Sequence, residues 1–193
     1  KAFDACRPMW VLVVGGSQGA LFLNQMLPKV MVKAVQTAHV EVWHQTGQAS
    51  LDAVKESYIN FGNKVKVSAF IEKMSDAYQW ADLVICRAGA LTVSELIATQ
   101  VPSILVPLPN AIDDHQRLNA EVLTNHGAAL MLEQGTTSED QWHDSLLKLH
   151  HDPSLLRAMQ KRLVAVQAKD AVHCCYLCSS EVIKSPMARQ VWE

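Results

Sequence analysis

The run Trp10–Val14 (WVLVV) passes directly into Gly15-Gly16-Ser17-Gln18-Gly19-Ala20. An apolar run with no polar alternation is buried on both faces, as in a parallel sheet with helices on either side. Ending such a strand in glycines is a strong constraint, because it places a tight βα turn at the carboxyl end of a buried strand. The rest of the chain repeats the alternation. His39–His44 alternates and meets Gln45-Thr46-Gly47, reading as strand two, and Lys64–Ile71 reads as strand three, followed by a short helix at Ser75–Trp80. Asp82–Cys86, Ser103–Leu108 and Ala128–Leu132 read as strands four to six, with helices over Leu91–Thr99 and Asp114–Asn125. The helix from about Ala20 carries Pro28, which is expected to kink or divide it. From Ser138 onward the pattern is helical, broken near Asp152-Pro153 and loosened near Ser185-Pro186. The expected fold is therefore α/β, a doubly wound parallel sheet of about six strands. In such sheets ligands lie beyond the carboxyl ends of the strands.

Bulk properties narrow the function classes. With 193 residues the chain buries one good core, so a single domain or one lobe of a larger enzyme is expected. It begins at Lys1 and enters a strand within ten residues, which reads as a piece of a longer protein. A net charge of −2 offers no footprint for nucleic acid. No apolar run approaches the ~20 residues of a membrane helix, and no signal peptide is visible. Cys6, Cys86, Cys174, Cys175 and Cys178 are odd in number and lack framework spacing, so reduced cytosolic thiols are expected.

The glycine loop allows several readings. Gly15-Gly16-Ser17-Gln18-Gly19 matches the nucleophile elbow G-x-S-x-G, which also needs an oxyanion loop ahead of the serine. Asp82 and His126 can be nominated as its partners, but nothing upstream supplies the second oxyanion donor. A dinucleotide loop needs three glycines, and the best alignment, Val14, Gly16 and Gly19, has two; strand two also ends in Trp43-His44 where an acidic ribose ligand belongs. No Gly-Lys-Ser/Thr of a Walker loop is present. A phosphate cradle remains, in which backbone N–H groups and a helix N-terminus face an anion and Ser17 adds a hydroxyl. The plain alternative is a tight turn without a ligand.

The segment Arg87-Ala88-Gly89-Ala90-Leu91-Thr92-Val93-Ser94-Glu95 repeats the device after strand four. Gly89 permits close backbone approach, and Ala90, Leu91 and Thr92 carry free helix-start N–H groups. Two such starts side by side suit a diphosphate. Glu95, one turn on, is repelled by phosphate but accepts from vicinal hydroxyls such as those of a ribose. Without the neighbouring loops it is a surface glutamate. A third cluster surrounds Asp114-His115-Gln116-Arg117-Leu118-Asn119, with Asp114 as N-cap and Gln116 and Asn119 on one helix face. Their amides can read sugar hydroxyls, or form an ordinary polar surface.

Together GGSQGA, RAGALTVSE and DDHQRLNA resemble the MurG family, the peptidoglycan N-acetylglucosaminyltransferases, from about Trp10 to Gln134. The resemblance is weaker beyond Gln134 and carries no motif there. It implies that residues 1–193 are the C-terminal donor lobe of a Rossmann-like, two-lobed GT-B glycosyltransferase, with the acceptor lobe outside the chain. The implied reaction is inverting transfer of N-acetylglucosamine from UDP-N-acetylglucosamine to lipid I, giving lipid II, without metal or cofactor. Gly16, Ser17, Gln18 and Gly19 would meet the diphosphate from one side, and Gly89, Ala90, Leu91 and Thr92 from the other. Glu95 would hold the ribose, and Phe70 with the Ile71 backbone would meet the uracil. Gln116 and Asn119 would read the sugar, and His115 stands where some members carry another glutamine. The catalytic base, the lipid I site, the membrane contact and a diphosphate-binding arginine would all belong to the other lobe. The intact enzyme would be cytoplasmic and peripheral on the inner membrane. Rival readings are another GT-B transferase, a UDP-sugar 2-epimerase and a non-catalytic nucleotide-binding module.

Three features carry weaker implications. His173-Cys174-Cys175 and Cys178 lack the four ligands of a closed zinc site, so partly buried thiols in the last helix are expected. Arg87 either steers phosphate or pairs with a carboxylate near strand four. The tryptophans and methionines read as core or interlobe packing.

Overall fold

The protein is represented by a computed structural model that describes residues 6–15, 20–109 and 114–169. Six strands form one parallel sheet: β1 (Met9–Val14), β2 (Val40–Gln45), β3 (Val65–Ser68), β4 (Leu83–Cys86), β5 (Ser103–Leu105) and β6 (Ala129–Met131). Their order is β3-β2-β1-β4-β5-β6, with every neighbouring pair parallel. This is the doubly wound order, with its topological switch point between β1 and β4. The register pairs Ser68 with Gln45, Gln45 with Val14, Val14 with Cys86, Cys86 with Leu105 and Leu105 with Met131. All six strands thus end level, and the loops that follow them share one edge.

Among the described residues seven α-helices cover the sheet: α1 (Ala20–Thr37), α2 (Leu51–Ser57), α3 (Met74–Trp80), α4 (Ala90–Thr99), α5 (His115–Thr124), α6 (Glu139–His151) and α7 (Pro153–Lys169). Strand side chains alternate between two cores. Val11 and Val13 of β1, with Leu83 and Ile85 of β4, join a cluster with α1, α2 and α6 around the fully buried Trp142. Leu12, Val84 and Cys86 face the opposite cluster, where α3, α4, α5 and α7 supply Tyr78, Val93, Leu96, Leu123 and Leu163.

Helix α1 is not divided at Pro28, although that proline is inside it. Leu23, Leu27, Val30, Met31 and Ala34, all nearly inaccessible, follow helical spacing on both sides of the proline. That continuous stripe holds one face against the sheet, and tertiary burial outweighs the lost backbone hydrogen bond. The break at Asp152-Pro153 does occur. Ser138 caps α6, its hydroxyl accepting from the Gln141 N–H, while Gln141 Oε1 accepts from the Ser138 N–H at 2.8 Å. Asp152 then accepts from the Ser154 N–H at 3.0 Å and opens α7. Strand three ends at Ser68 and strand five at Leu105, shorter than the sequence suggests, and α2 is an addition to the sequence reading.

At one margin of the sheet, Lys66 of β3 places its ammonium 3.6 Å from the centre of the Trp43 ring. Trp43 meets Trp80 edge-on, and Trp80 stacks on Trp10 at 5.8 Å. Trp142 is core, and Trp10, Trp43 and Trp80 form a half-buried ladder beside α3. No helix among the described residues is long and apolar enough to cross a membrane.

Candidate functional site

The level strand ends create a hollow of about 770 Å3 over the carboxyl ends of β1, β2 and β3, next to the switch point. Thr46, Gly47 and Gln48 form one wall, Phe70, Ile71 and Met74 a second, and Tyr78, Thr92 and Glu95 a third. Four residues expected at a ligand site from sequence, Phe70, Ile71, Thr92 and Glu95, therefore share one concavity. Ligand pockets of this volume are typical of cofactor- and nucleotide-sized molecules. A second hollow, about 310 Å3, lies at the opposite edge among Asp82, Val101, Pro102 and Arg157; it shares Tyr78 with the first but includes none of Phe70, Ile71, Thr92 and Glu95.

Phe70 is 74% exposed, while the neighbouring Ile71 is buried. Their loop is pinned to the end of β2: Gly47 N–H and Gln45 Nε2 both donate to the Ala69 carbonyl at 3.0 Å, and Thr46 N–H donates to Ser68 O. Behind that wall lies a buried polar chain. Asn24 Nδ2 donates to Thr46 O at 2.9 Å, so its Oδ1 faces His44 Nε2 at 3.1 Å. Nε2 is then the protonated nitrogen, and Nδ1 accepts from the Tyr58 hydroxyl at 3.2 Å. Burial pushes the His44 pKa down to about 3, so the ring is neutral at physiological pH.

On the other wall, Gly89 is the N-cap of α4 at φ −67°, a conformation open to any residue. A Cβ there would meet only Thr92 Oγ1 at 3.8 Å, so the fold itself does not demand glycine. Ala90 is buried, Leu91 is exposed, and the first-turn N–H groups of α4 have no intrahelical acceptors. Glu95 is exposed one turn further on, and its Oε2 accepts from the Tyr78 hydroxyl at 2.8 Å. Burial, with Glu95 adjacent, pushes the Tyr78 phenol far above its ordinary pKa and keeps it a donor.

The α5 residues stand apart from this hollow. Asn119 is 8% exposed and its Nδ2 donates to Ala88 O at 3.0 Å, tying α5 to the loop before α4. Gln116 is half-buried, and its Oε1 accepts from the Leu108 N–H at 3.0 Å, so the group it has left to donate is its amide nitrogen. His115 is exposed. Asp114 occupies the N-cap of α5, but with φ 54° and no side-chain capping bond, so the expected cap chemistry is not formed. Arg87, 8% exposed, donates to Val106 O, Pro107 O and Gln134 Oε1, bracing the loops after β4, β5 and β6. Gly16, Ser17, Gln18 and Gly19 lie outside the described residues, as do His173, Cys174, Cys175, Cys178 and the Ser185-Pro186 position. Among the described residues no cluster of three metal-ligating side chains occurs. Cys86 is a buried thiol outside any disulfide.

The hydrolase reading fails on topology. Asp82 precedes β4 and His126 precedes β6, so both lie at the sheet edge opposite the carboxyl end of β1. Asp82 is instead consumed by Arg7, which donates to both its oxygens at 2.6 and 2.7 Å. Tyr78, Met74, Thr46 and Gly47 line the hollow without having been singled out in the sequence. The Thr-Gly pair ending β2 was the one legible signal for part of that wall.

Sheet order, level strand ends and glycine-bearing loops on both sides of the switch point define a Rossmann-like lobe of the GT-B glycosyltransferase type. Residues 10–174 match the glycosyltransferase family 28 C-terminal domain, and the chain belongs to that family. The match extends well past Gln134, into the helical part that carries no motif. Among curated proteins, the UDP-N-acetylglucosamine--N-acetylmuramyl-(pentapeptide) pyrophosphoryl-undecaprenol N-acetylglucosamine transferase of Shewanella amazonensis is 47% identical over 163 residues. That alignment covers 83% of this chain and 45% of the relative. The protein of the same name from Shewanella denitrificans is 44% identical over 165 residues, covering 84% of this chain and 45% of its own length. The chain thus spans about half the length of the curated relatives it matches. Among solved structures, MurG of Acinetobacter baumannii superposes with a TM-score of 0.76 at 38% identity, covering 83% of this chain and 46% of that one. The C-terminal domain of a group 1 glycosyl transferase family protein from Francisella tularensis shares the fold, with a TM-score of 0.63 at 14% identity and coverage of 85% and 87%.

Proposed function

We propose that residues 1–193 form the donor-binding lobe of an inverting, metal-independent transferase that moves N-acetylglucosamine from UDP-N-acetylglucosamine to lipid I. The observation that carries this reading is the hollow beside the switch point, flanked by the free start of α4 and by the Glu95 carboxylate one turn later. A nucleoside diphosphate has the matching order of groups. The Ala90–Thr92 N–H groups and the Gly16–Gly19 loop with Ser17 take the diphosphate, Glu95 the ribose hydroxyls, and Phe70 with the Ile71 backbone the uracil. Gln116 turns its amide nitrogen to the sugar. Asn119, bonded to Ala88, holds the loop and offers its remaining amide donor and carbonyl from beneath. His115 borders the same end.

In this reaction the acceptor's 4-hydroxyl attacks C1 of the sugar while the bond from C1 to the diphosphate oxygen breaks. Negative charge grows on the departing UDP. Prearranged N–H groups and the α4 dipole stabilise it without reorganisation at the moment of transfer. The base that takes the hydroxyl proton belongs to the acceptor lobe, as do the lipid I site and a peripheral contact with the cytoplasmic face of the membrane. Support comes from the names of the relatives at 44–47% identity together with the agreement of the hollow with a UDP-sugar. The test is a titration of UDP-N-acetylglucosamine, UDP-glucose, ADP-ribose and NAD against the chain. Preference for the first is expected; equal affinity for all four would overturn the reading.

A further inference from the structure

Glu95 stands at the mouth of the hollow with a flexible side chain, and an exposed glutamate loses rotamer freedom when a ligand orders it. Here that freedom is already curtailed. The Tyr78 hydroxyl holds Oε2 at 2.8 Å, and the Tyr78 residue, only 3% exposed, is one of the side chains by which α3 packs into the core. The donor is a neutral phenol. A lysine or arginine in its place would orient the carboxylate but also offset its charge. Tyr78 instead brings no offsetting charge, and Oε1 and the second lone pair of Oε2 remain as acceptors on a side chain that lines the hollow. Two adjacent acceptor positions on one rigid carboxylate match two adjacent hydroxyls.

We propose that Tyr78 is a positioning residue that fixes the Glu95 carboxylate toward a vicinal diol and so sets the site's preference for ribose over deoxyribose nucleotides. The inference rests on the reading that Glu95 holds the ribose. Tyr78 does not itself need to touch the ligand. It acts across two helices, seventeen positions before Glu95 in the chain, through one hydrogen bond.

The test is calorimetric titration of UDP and of 2′,3′-dideoxy-UDP into the full chain, its Tyr78→Phe and Glu95→Ala variants, and the double variant. Thermal melting serves as the folding control. Tyr78→Phe keeps the ring and is expected to melt like the parent. It should weaken UDP roughly five-fold, leave the dideoxy ligand unchanged, and add nothing in the Glu95→Ala background. An equal loss for both ligands, or a further loss in the Glu95→Ala background, would mean that Tyr78 acts as a wall of the hollow and would overturn the inference. The underlying reading fails separately, if Glu95→Ala itself weakens both ligands alike. No measurable UDP binding by the parent chain would sink both.

Discussion

The two edges of the sheet use similar residues for opposite purposes. At the amino-terminal edge, Asp82 has a side chain 2% exposed and accepts from both Arg7 nitrogens and from the Trp10 N–H at 3.0 Å. At the carboxyl-terminal edge, Glu95 is exposed, accepts from Tyr78 through Oε2 and lines a hollow. The first carboxylate is saturated by its own protein and the second is oriented but left with capacity. A carboxylate of the first kind contributes to stability, and one of the second kind is available for recognition.

Removing the saturated carboxylate should have the largest effect. Asp82→Ala leaves Arg7 and the Trp10 N–H without their shared acceptor, and a loss of about 3 kcal/mol in urea unfolding is expected. UDP affinity should stay within two-fold (a ~0.4 kcal/mol change), and a collapse of UDP binding in the folded variant would erase the contrast between the edges. Glu95→Ala should do the reverse, weakening UDP by about 1–3 kcal/mol, as for hydrogen bonds to a charged group, with an unchanged melting temperature.

A third effect depends on pH. His44 backs the wall of the hollow as a neutral ring with its folded pKa near 3, against 6.5 for a free histidine. Between those values the unfolded chain binds a proton that the folded chain refuses. Stability should therefore be fully present above 6.5 and fall as the pH drops, by up to about 1.4 kcal/mol per unit. Unfolding at pH 5 and pH 7, compared between the parent and His44→Gln, checks this; identical slopes would remove His44 from the account. The smallest effects belong to α5. Gln116→Ala should narrow the preference for UDP-N-acetylglucosamine over its C4 epimer with little change for UDP. Asn119→Ala should also weaken UDP by about 1 kcal/mol, because it frees the Ala88 carbonyl that anchors the start of α4. If Asn119→Ala moves only the epimer ratio, that anchor has no role in binding.

Much of the frame was legible in the sequence because buried parallel strands are unmixed apolar runs bounded by glycine or helix starts. The strand–glycine–helix steps at Val14 and Cys86 pointed to the sheet edge that carries the hollow, and helix spacing put Glu95 one turn into α4. Helix α2 was not legible, since only Val54 among its seven residues is buried and no period shows. Pro28 misled because the chain alone does not reveal the stripe that holds α1 together. Asn119 gave the pattern of a surface amide, yet packing of α5 against the loop before α4 buries it. Tyr78 was invisible for the same reason. Its partner is set by how α3 meets α4, and no spacing rule joins residues on two helices separated by a strand.

The margins of the sheet bear on association. Among the described residues β3 and β6 each pair on one side only, and an open sheet edge is a template for pairing with a second chain. Here the templates are short, four residues in β3 and three in β6. Lys66 stands in the middle of β3 with its charge lodged over Trp43 rather than swinging free. That contact ties the outermost strand to its inner neighbour across the face of the sheet, and a valine at that position would remove the tie and the charge while raising the strand propensity of the open edge.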